Sequence, residues 1–315
     1  MSDKFADRLL DAIDRKGSPI CAGIDPVFES LPPAITGKHA SGRSTSDAEQ
    51  AVDAIFQFCV GVLRTVAPHV PVVKFQSAYF ERYLWEGVEA YYSLIQEAKE
   101  LGLLVIGDVK RGDIGATSAA YAAGHLADQG FDEQEEVATP DAITVNPMLR
   151  LDTLEPFVKT AKEYDKGLFV LVRTSNPGSA ELQDVRLEDG RTWSEALADR
   201  LAPVAASPGF VGDRGYSSLG AVVGATQPQT MASLRRRLPQ SIFLLPGYGA
   251  QGATADMTRA AFDADGCGAI VSASRSILYA HKEAKYAGRF KDDWQKCVEA
   301  AVLDMKADLA GVVGR

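Results

Sequence analysis

Leu103-Leu104-Val105-Ile106-Gly107-Asp108-Val109-Lys110-Arg111-Gly112-Asp113 runs from an apolar stretch directly into two carboxylates that flank an ammonium. Side chains on a strand alternate between faces, so Asp108 and Lys110 are expected on one face and Val109 on the other. Gly112 gives the chain freedom to turn sharply before Asp113. Bringing such a cluster to the end of a buried strand costs desolvation energy unless its members pair. It is therefore either a structural ion pair or working chemistry, and crowded ionisable groups are a mark of active sites.

Working outward from this run, short apolar segments recur along the whole chain. They are Ile20 to Ile24, Val70 to Phe75, Leu103 to Val109, Ala142 to Val145, Leu168 to Val172, Leu219 to Val223, Ile242 to Leu245 and Ala269 to Val271. Their β-branched, nearly continuous hydrophobicity suits parallel strands covered on both faces. Helical patterns separate them at about 47–67, 78–101, 115–129, 152–164, 192–206, 227–238, 252–264 and 275–285. Further helices are expected at 3–16 and 290–310. Strict alternation of this kind predicts an α/β fold of the (β/α)8 TIM-barrel class, one domain over residues 1–315. An open doubly wound sheet would carry a glycine fingerprint after its first strand, whereas here that strand ends in Asp25-Pro26. Residues 29–46 and 174–191, rich in Pro, Gly, Ser and Thr, read as long rim loops, and the acidic stretch 129–141 as a solvated connection.

Composition sets the class of partner. With 315 residues, 46% hydrophobic, the chain can bury a large core, and its net charge of −9 argues against nucleic-acid or membrane-surface binding. No secretory leader or bilayer-length apolar segment is legible. Cys21, Cys59, Cys267 and Cys297 lack CxxC spacing and read as reduced structural thiols of a cytoplasmic protein.

In such barrels chemistry sits at the C-terminal ends of the strands. Those ends carry Asp25, Lys74, Asp108 with Lys110, Asn146, Thr174-Ser175, Thr226, Gly247-Tyr248-Gly249 and Ser274-Arg275. The last two suggest a phosphate site. Pro246-Gly247-Tyr248-Gly249-Ala250-Gln251-Gly252 offers open backbone N–H groups and the Gln251 amide, while Ser274-Arg275 opens a helix and adds a planar guanidinium. His39, His69, His125 and His281 all lie away from the strand exits, so neither a histidine metal triad nor a Ser-His-Asp system is supported. Carboxylates leave a magnesium ion open.

Six segments together resemble the orotidine 5′-phosphate decarboxylase family in its longer bacterial form, over essentially the whole chain. They are Gly23-Ile24-Asp25-Pro26, Val73-Lys74-Phe75-Gln76, Asp108 through Gly115, Thr174-Ser175-Asn176-Pro177-Gly178, Pro246 through Gly252, and Ser274-Arg275-Ser276-Ile277. Val109 stands where this subgroup often has alanine. The resemblance implies a carboxy-lyase of pyrimidine biosynthesis that converts orotidine 5′-phosphate to uridine 5′-phosphate and carbon dioxide without metal or cofactor. It implies Lys110 as proton donor, with Asp108 and Asp113 fixing its ammonium and Asp108 also lying against the departing carboxylate. It further implies Asp25 and Lys74 at the ribose, Ser175 at the pyrimidine edge, and Gln251 and Arg275 at the phosphate, within a loop built on Gly247, Gly249, Gly252 and Ser274. Asp113, Ile114 and Thr117 are implied to reach a neighbouring subunit's site, which makes a homodimer with shared sites. Rival readings are a magnesium-dependent sugar-phosphate decarboxylase or aldolase of the same barrel group, a Schiff-base aldolase, and a non-catalytic nucleotide sensor. Lys74, where the magnesium enzymes tend to place a carboxylate, repels a cation.

Overall fold

The computed structural model describes residues 4–39, 48–128 and 138–313. Eight strands form a closed parallel barrel in sequence order. They are β1 (Ile20–Ile24), β2 (Val72–Gln76), β3 (Leu104–Arg111), β4 (Ala142–Val145), β5 (Gly167–Arg173), β6 (Ser217–Val223), β7 (Ser241–Pro246) and β8 (Ala269–Ala273). β1 closes the ring through the pairs Ile20 with Val271 and Cys21 with Ser272. The predicted (β/α)8 barrel is the observed fold. β2 begins two residues later than expected, because Val70 still closes the preceding helix through its N–H to the Val66 carbonyl.

Continuous hydrophobicity in the strands reflects two different burials. Val73 and Phe75 face outward and pack with the surrounding helices, as does Val109. Val72, Ile106, Phe169, Val222 and Leu244 point into the barrel and form a separate interior cluster. The helix Phe5–Lys16 adds Phe5, Leu9, Leu10 and Ile13 to that cluster, and so closes the N-terminal end of the barrel. Phe5 meets Phe169 edge-on at 6.0 Å, and Gly167 leaves room for it, since a Cβ there would lie 2.3 Å from the Phe5 ring. Buried Asp7 anchors this plug by accepting the N–H groups of Asp213 (2.8 Å) and Arg214 (3.0 Å).

The helical layer is less regular than its sequence pattern. The expected helix 78–101 divides into Ala78–Glu81 and Leu84–Glu100, and Leu84, the first residue of the second, has φ 56°. The expected helix 252–264 shrinks to Ala255–Thr258 and a 3-10 turn, and 275–285 to Arg275–Leu278 followed by short turns. Gly252, with φ 86°, stands at the start of the first of those segments, and a separate helix, Ala284–Phe290, begins at the end of the other. The C-terminal helix Trp294–Val313 packs against both short helices and against Ala48–Val66, covering the outer wall where its own layer is thin. Of the two expected loops, the first contains a 3-10 turn at Phe28–Ser30 and the helix Pro33–His39, with 40–47 outside the described residues. The second contains a 3-10 turn, the helix Ala180–Gln183 and a bridge between Arg186 and Thr192. Most of the acidic stretch 129–141 lies outside the described residues. All four cysteines are free and buried, and burial pushes the Cys21 thiol up to about 12.

Candidate active site

Asp108 is the hub of a cavity of about 430 Å³ at the C-terminal mouth of the barrel, a volume suited to a small organic ligand. Its Oδ1 accepts from the Lys110 ammonium (2.6 Å) and the Thr144 hydroxyl (2.8 Å). Its Oδ2 accepts from the Lys74 ammonium (2.8 Å) and the Gln76 amide (3.2 Å). Two carboxylate oxygens offer about four lone-pair directions, so this group is saturated. Burial works to raise the Asp108 pKa, but the two ammoniums outweigh it and hold the carboxyl well below the usual range. Burial likewise works to lower Lys74, but Asp108 and then Asp25 prevail, and Lys74 stands above the ordinary lysine value. Lys74 and Asp108 are 8% and 10% exposed at their side chains, whereas Lys110 is 45% exposed and looks into the open mouth.

Asp108 and Lys110 do meet on one face, but simple alternation does not bring them there. Pairing of β3 with β4 slips between Gly107 and Arg111, and Lys110 has φ 47°. The slip is a bulge that re-aims the Lys110 side chain. Its backbone N–H goes to Thr144 Oγ1 at 2.9 Å rather than to a strand carbonyl. A non-glycine residue in this region of φ costs about 1–3 kcal/mol, a burden typical of functional positions. Gly112 is required for a different reason from the one expected. A Cβ there would approach the Asn146 carbonyl to 2.7 Å, so close packing rather than turning freedom selects glycine.

The ribose candidates lie beside this hub. Asp25 Oδ1 is 3.8 Å from Lys74 Nζ and, among the described residues, is buried without a hydrogen-bond partner, which leaves an acceptor facing the cavity. Ser175 also lines the wall, on a segment anchored by Arg173, which binds Asp184 through two 2.8 Å contacts. Gly247, Gln251, Ser274 and Arg275 line the wall after β7 and β8, next to Asp25 after β1. Gly247, Gly249 and Gly252 all have positive φ, as the tight loop demands, although Gly249 and Gly252 stand behind the cavity wall. The N–H groups of Gly249, Ala250, Gly252 and Ala253 are used inside that loop. The helix after Ser274 is a single turn, Arg275–Leu278, too short for a substantial macrodipole. Side-chain donors from Gln251 and Arg275, more than open backbone groups or a helix end, are what this end offers an anion.

Asp113, Ile114 and Thr117 stand outside the cavity of their own chain. Asp113 Oδ1 accepts the Ile114 N–H at 2.8 Å, and among the described residues Asp113 makes no ion pair with Lys110. Ile114 is 63% exposed. Asn146 and Thr226 also lie off the wall, as do His69, His125 and His281. Sequence reasoning missed Thr144, whose signal was a lone hydroxyl in the apolar run Ala142–Val145. It also gave no role to Gln76 or to the apolar floor of Leu171, Val222 and Leu244. Among the described residues, no group of three or more His, Cys, Asp or Glu side chains is placed to hold a metal ion.

Comparison with known proteins gives one consistent result. Residues 40–290 match the model of the orotidine 5′-phosphate decarboxylase / HUMPS family. The orotidine 5′-phosphate decarboxylase of Rhodopirellula baltica is 42% identical over 308 residues, covering 98% of this chain and 99% of the relative. The enzyme of the same name from Caldicellulosiruptor bescii is 38% identical over 310 residues, covering 98% and 99%. Among solved structures, a putative orotidine 5′-phosphate decarboxylase from Streptomyces avermitilis superposes with a TM-score of 0.78 at 33% identity, covering 99% of this chain and 96% of the other. The Leishmania donovani OMP decarboxylase superposes with a TM-score of 0.72 at 28% identity, covering 99% and 100%.

Proposed function

This chain belongs to the orotidine 5′-phosphate decarboxylase / HUMPS family, and we propose that it is the carboxy-lyase that converts orotidine 5′-phosphate to uridine 5′-phosphate and carbon dioxide in pyrimidine biosynthesis. The observation that carries this reading is the Lys110 ammonium, 2.6 Å from Asp108 and half exposed at the cavity mouth, across the ring from Gln251 and Arg275. When the bond to the carboxylate breaks, carbon dioxide leaves and the electron pair remains on the ring carbon. The ring has no covalent sink for that pair, so a fixed positive charge must stabilise it. Lys110 supplies the charge and then the proton, and water restores its own proton. A positioned acid contributes roughly 10²–10⁴-fold.

Asp108 plays a positioning part more than a repulsive one. Lys74 and Lys110 both neutralise it, so its push against a substrate carboxylate is screened, while its hold on Lys110 is direct. Asp25 and Lys74 meet the ribose hydroxyls, Ser175 the pyrimidine edge, and Gln251 with Arg275 the phosphate. Remote phosphate binding then helps to fix the reacting ring. Asp113, Ile114 and Thr117, exposed or half-exposed beyond their own cavity, serve the site of a second copy, which makes the working unit a homodimer. No described helix is long and apolar enough to cross a membrane, and the reaction belongs in the cytoplasm.

The decisive experiment follows the absorbance of orotidine 5′-phosphate mixed with purified, EDTA-treated protein. Full activity after chelation supports the cofactor-free reading. Activity that disappears with EDTA and returns with magnesium would overturn it.

A further inference from the structure

Tyr279 lies outside the cavity wall, yet it joins the two segments that bound one end of it. Its hydroxyl accepts the Val27 N–H at 2.8 Å and donates to the Asp25 carbonyl at 2.9 Å. Its own N–H donates to the Arg275 carbonyl at 3.0 Å. An unbroken chain of bonds therefore runs from the backbone of the phosphate-side Arg275 to that of the ribose-side Asp25. The Tyr279 ring lies parallel to fully buried Phe58 (6.4 Å between centroids, 2° between planes), and Phe58 rests on Trp294 at 5.1 Å. The two segments are already pressed together, since a Cβ on Gly23 would fall 1.9 Å from Ser274 Oγ. Asp25 Oδ1 meanwhile has no hydrogen-bond partner among the described residues, so the aim of that carboxylate depends on how its backbone is held.

We infer that Tyr279 is a positioning residue for nucleotide binding, which acts through Asp25 by fixing the segment after β1 against the segment after β8. The inference rests on the assignment of Asp25 to the ribose. Loss of the hydroxyl leaves the Val27 N–H and the Asp25 carbonyl without their partner and frees the Asp25 side chain to drift, while Lys110 and Asp108 keep their contacts.

The test is a double-mutant cycle on the full chain with Tyr279→Phe, Asp25→Ala and the pair, reading KM and kcat for orotidine 5′-phosphate and calorimetric binding of uridine 5′-phosphate. Tyr279→Phe should raise KM and the dissociation constant about ten-fold, with kcat within about three-fold. In the Asp25→Ala background the same change should add less than about two-fold, because the group it acts through is gone. Effects that multiply, or a fall in kcat at unchanged KM, would overturn the inference. Phe58→Leu separates packing from the hydroxyl: it should lower stability without moving KM, and an equal rise in KM would also count against Tyr279. The binding cycle needs no turnover. A wild-type protein that binds uridine 5′-phosphate but leaves orotidine 5′-phosphate intact would refute the proposed reaction and not this coupling.

Discussion

Asp108→Asn keeps the shape of the hub and removes its charge. Four donors converge on the Asp108 carboxylate, and two of them are ammoniums. Lys110 can turn toward solvent, since its side chain is 45% exposed, but Lys74 is only 8% exposed and its remaining anion, Asp25, is 3.8 Å away. The substitution therefore leaves a nearly uncompensated buried cation, facing an amide that can present an N–H to it. Breaking one side of a buried pair costs about 3–5 kcal/mol. Partial compensation by Asp25 places the expected loss near the lower bound, about 3 kcal/mol at pH 7, or more than 100-fold in the folding equilibrium. Urea unfolding read by tryptophan fluorescence and by circular dichroism measures it, with coincident transitions checking two-state behaviour. Adding Lys74→Met should recover at least half of the loss, because the stranded charge is removed and an apolar chain of similar length remains. The pH dependence has a definite sign. The folded Asp108 pKa is depressed, so its stabilisation is complete above the ordinary value near 3.9 and is lost as pH falls below it. The gap between wild type and Asp108→Asn should thus narrow progressively below about pH 4. A loss under about 1 kcal/mol, or further destabilisation by Lys74→Met, would refute the account of the hub.

Lys110→Ala should abolish decarboxylation while the protein still folds and binds uridine 5′-phosphate; near-normal turnover would remove Lys110 from its role. Lys110→Gly should be more stable than Lys110→Ala by about 1 kcal/mol, because only glycine accepts φ 47° without strain. Mixing inactive Lys110→Ala with inactive Asp113→Ala should restore part of the activity, and absence of recovery after verified subunit exchange would refute shared sites. His125 provides an independent pH test: burial, aided by Arg111, lowers it to about 4, and its Nδ1 is buried without a partner among the described residues. Its neutral form is favoured in the fold, so its stabilisation is full above pH 6.5 and is lost as pH falls toward 4, by up to about 3 kcal/mol. His125→Gln should flatten that part of the urea stability profile relative to wild type, and parallel profiles would contradict it.

The barrel was legible because its information is local and periodic. Eight apolar runs with polar residues at their exits determine both the strands and the rim that faces substrate. What resisted reading was local departure from period. The bulge at Lys110 depends on a hydrogen bond to Thr144, thirty-four residues away in sequence, and no propensity encodes that partner. The seventh and eighth helices looked long because residues 252–264 and 275–285 contain good helix formers, but the chain there breaks into Ala255–Thr258, Arg275–Leu278 and Ala284–Phe290, each packed separately against Trp294–Val313. Gly112 was recognised as necessary for the wrong reason, since crowding by Asn146 cannot be seen in one strand alone. The positions of Asp25, Lys74, Ser175, Gln251 and Arg275 on the cavity wall were legible because each sits at a strand end or in the loop directly after one. Their contacts with one another were not.

The plug formed by Phe5, Leu9, Leu10 and Ile13 governs traffic as well as packing. With the floor of the barrel filled by apolar side chains, the described residues leave the cavity no opening on that side. On the proposed reaction the gas must depart past the nucleotide that has just lost it, or wait in the apolar pocket of Leu171, Val222 and Leu244 until the nucleotide leaves.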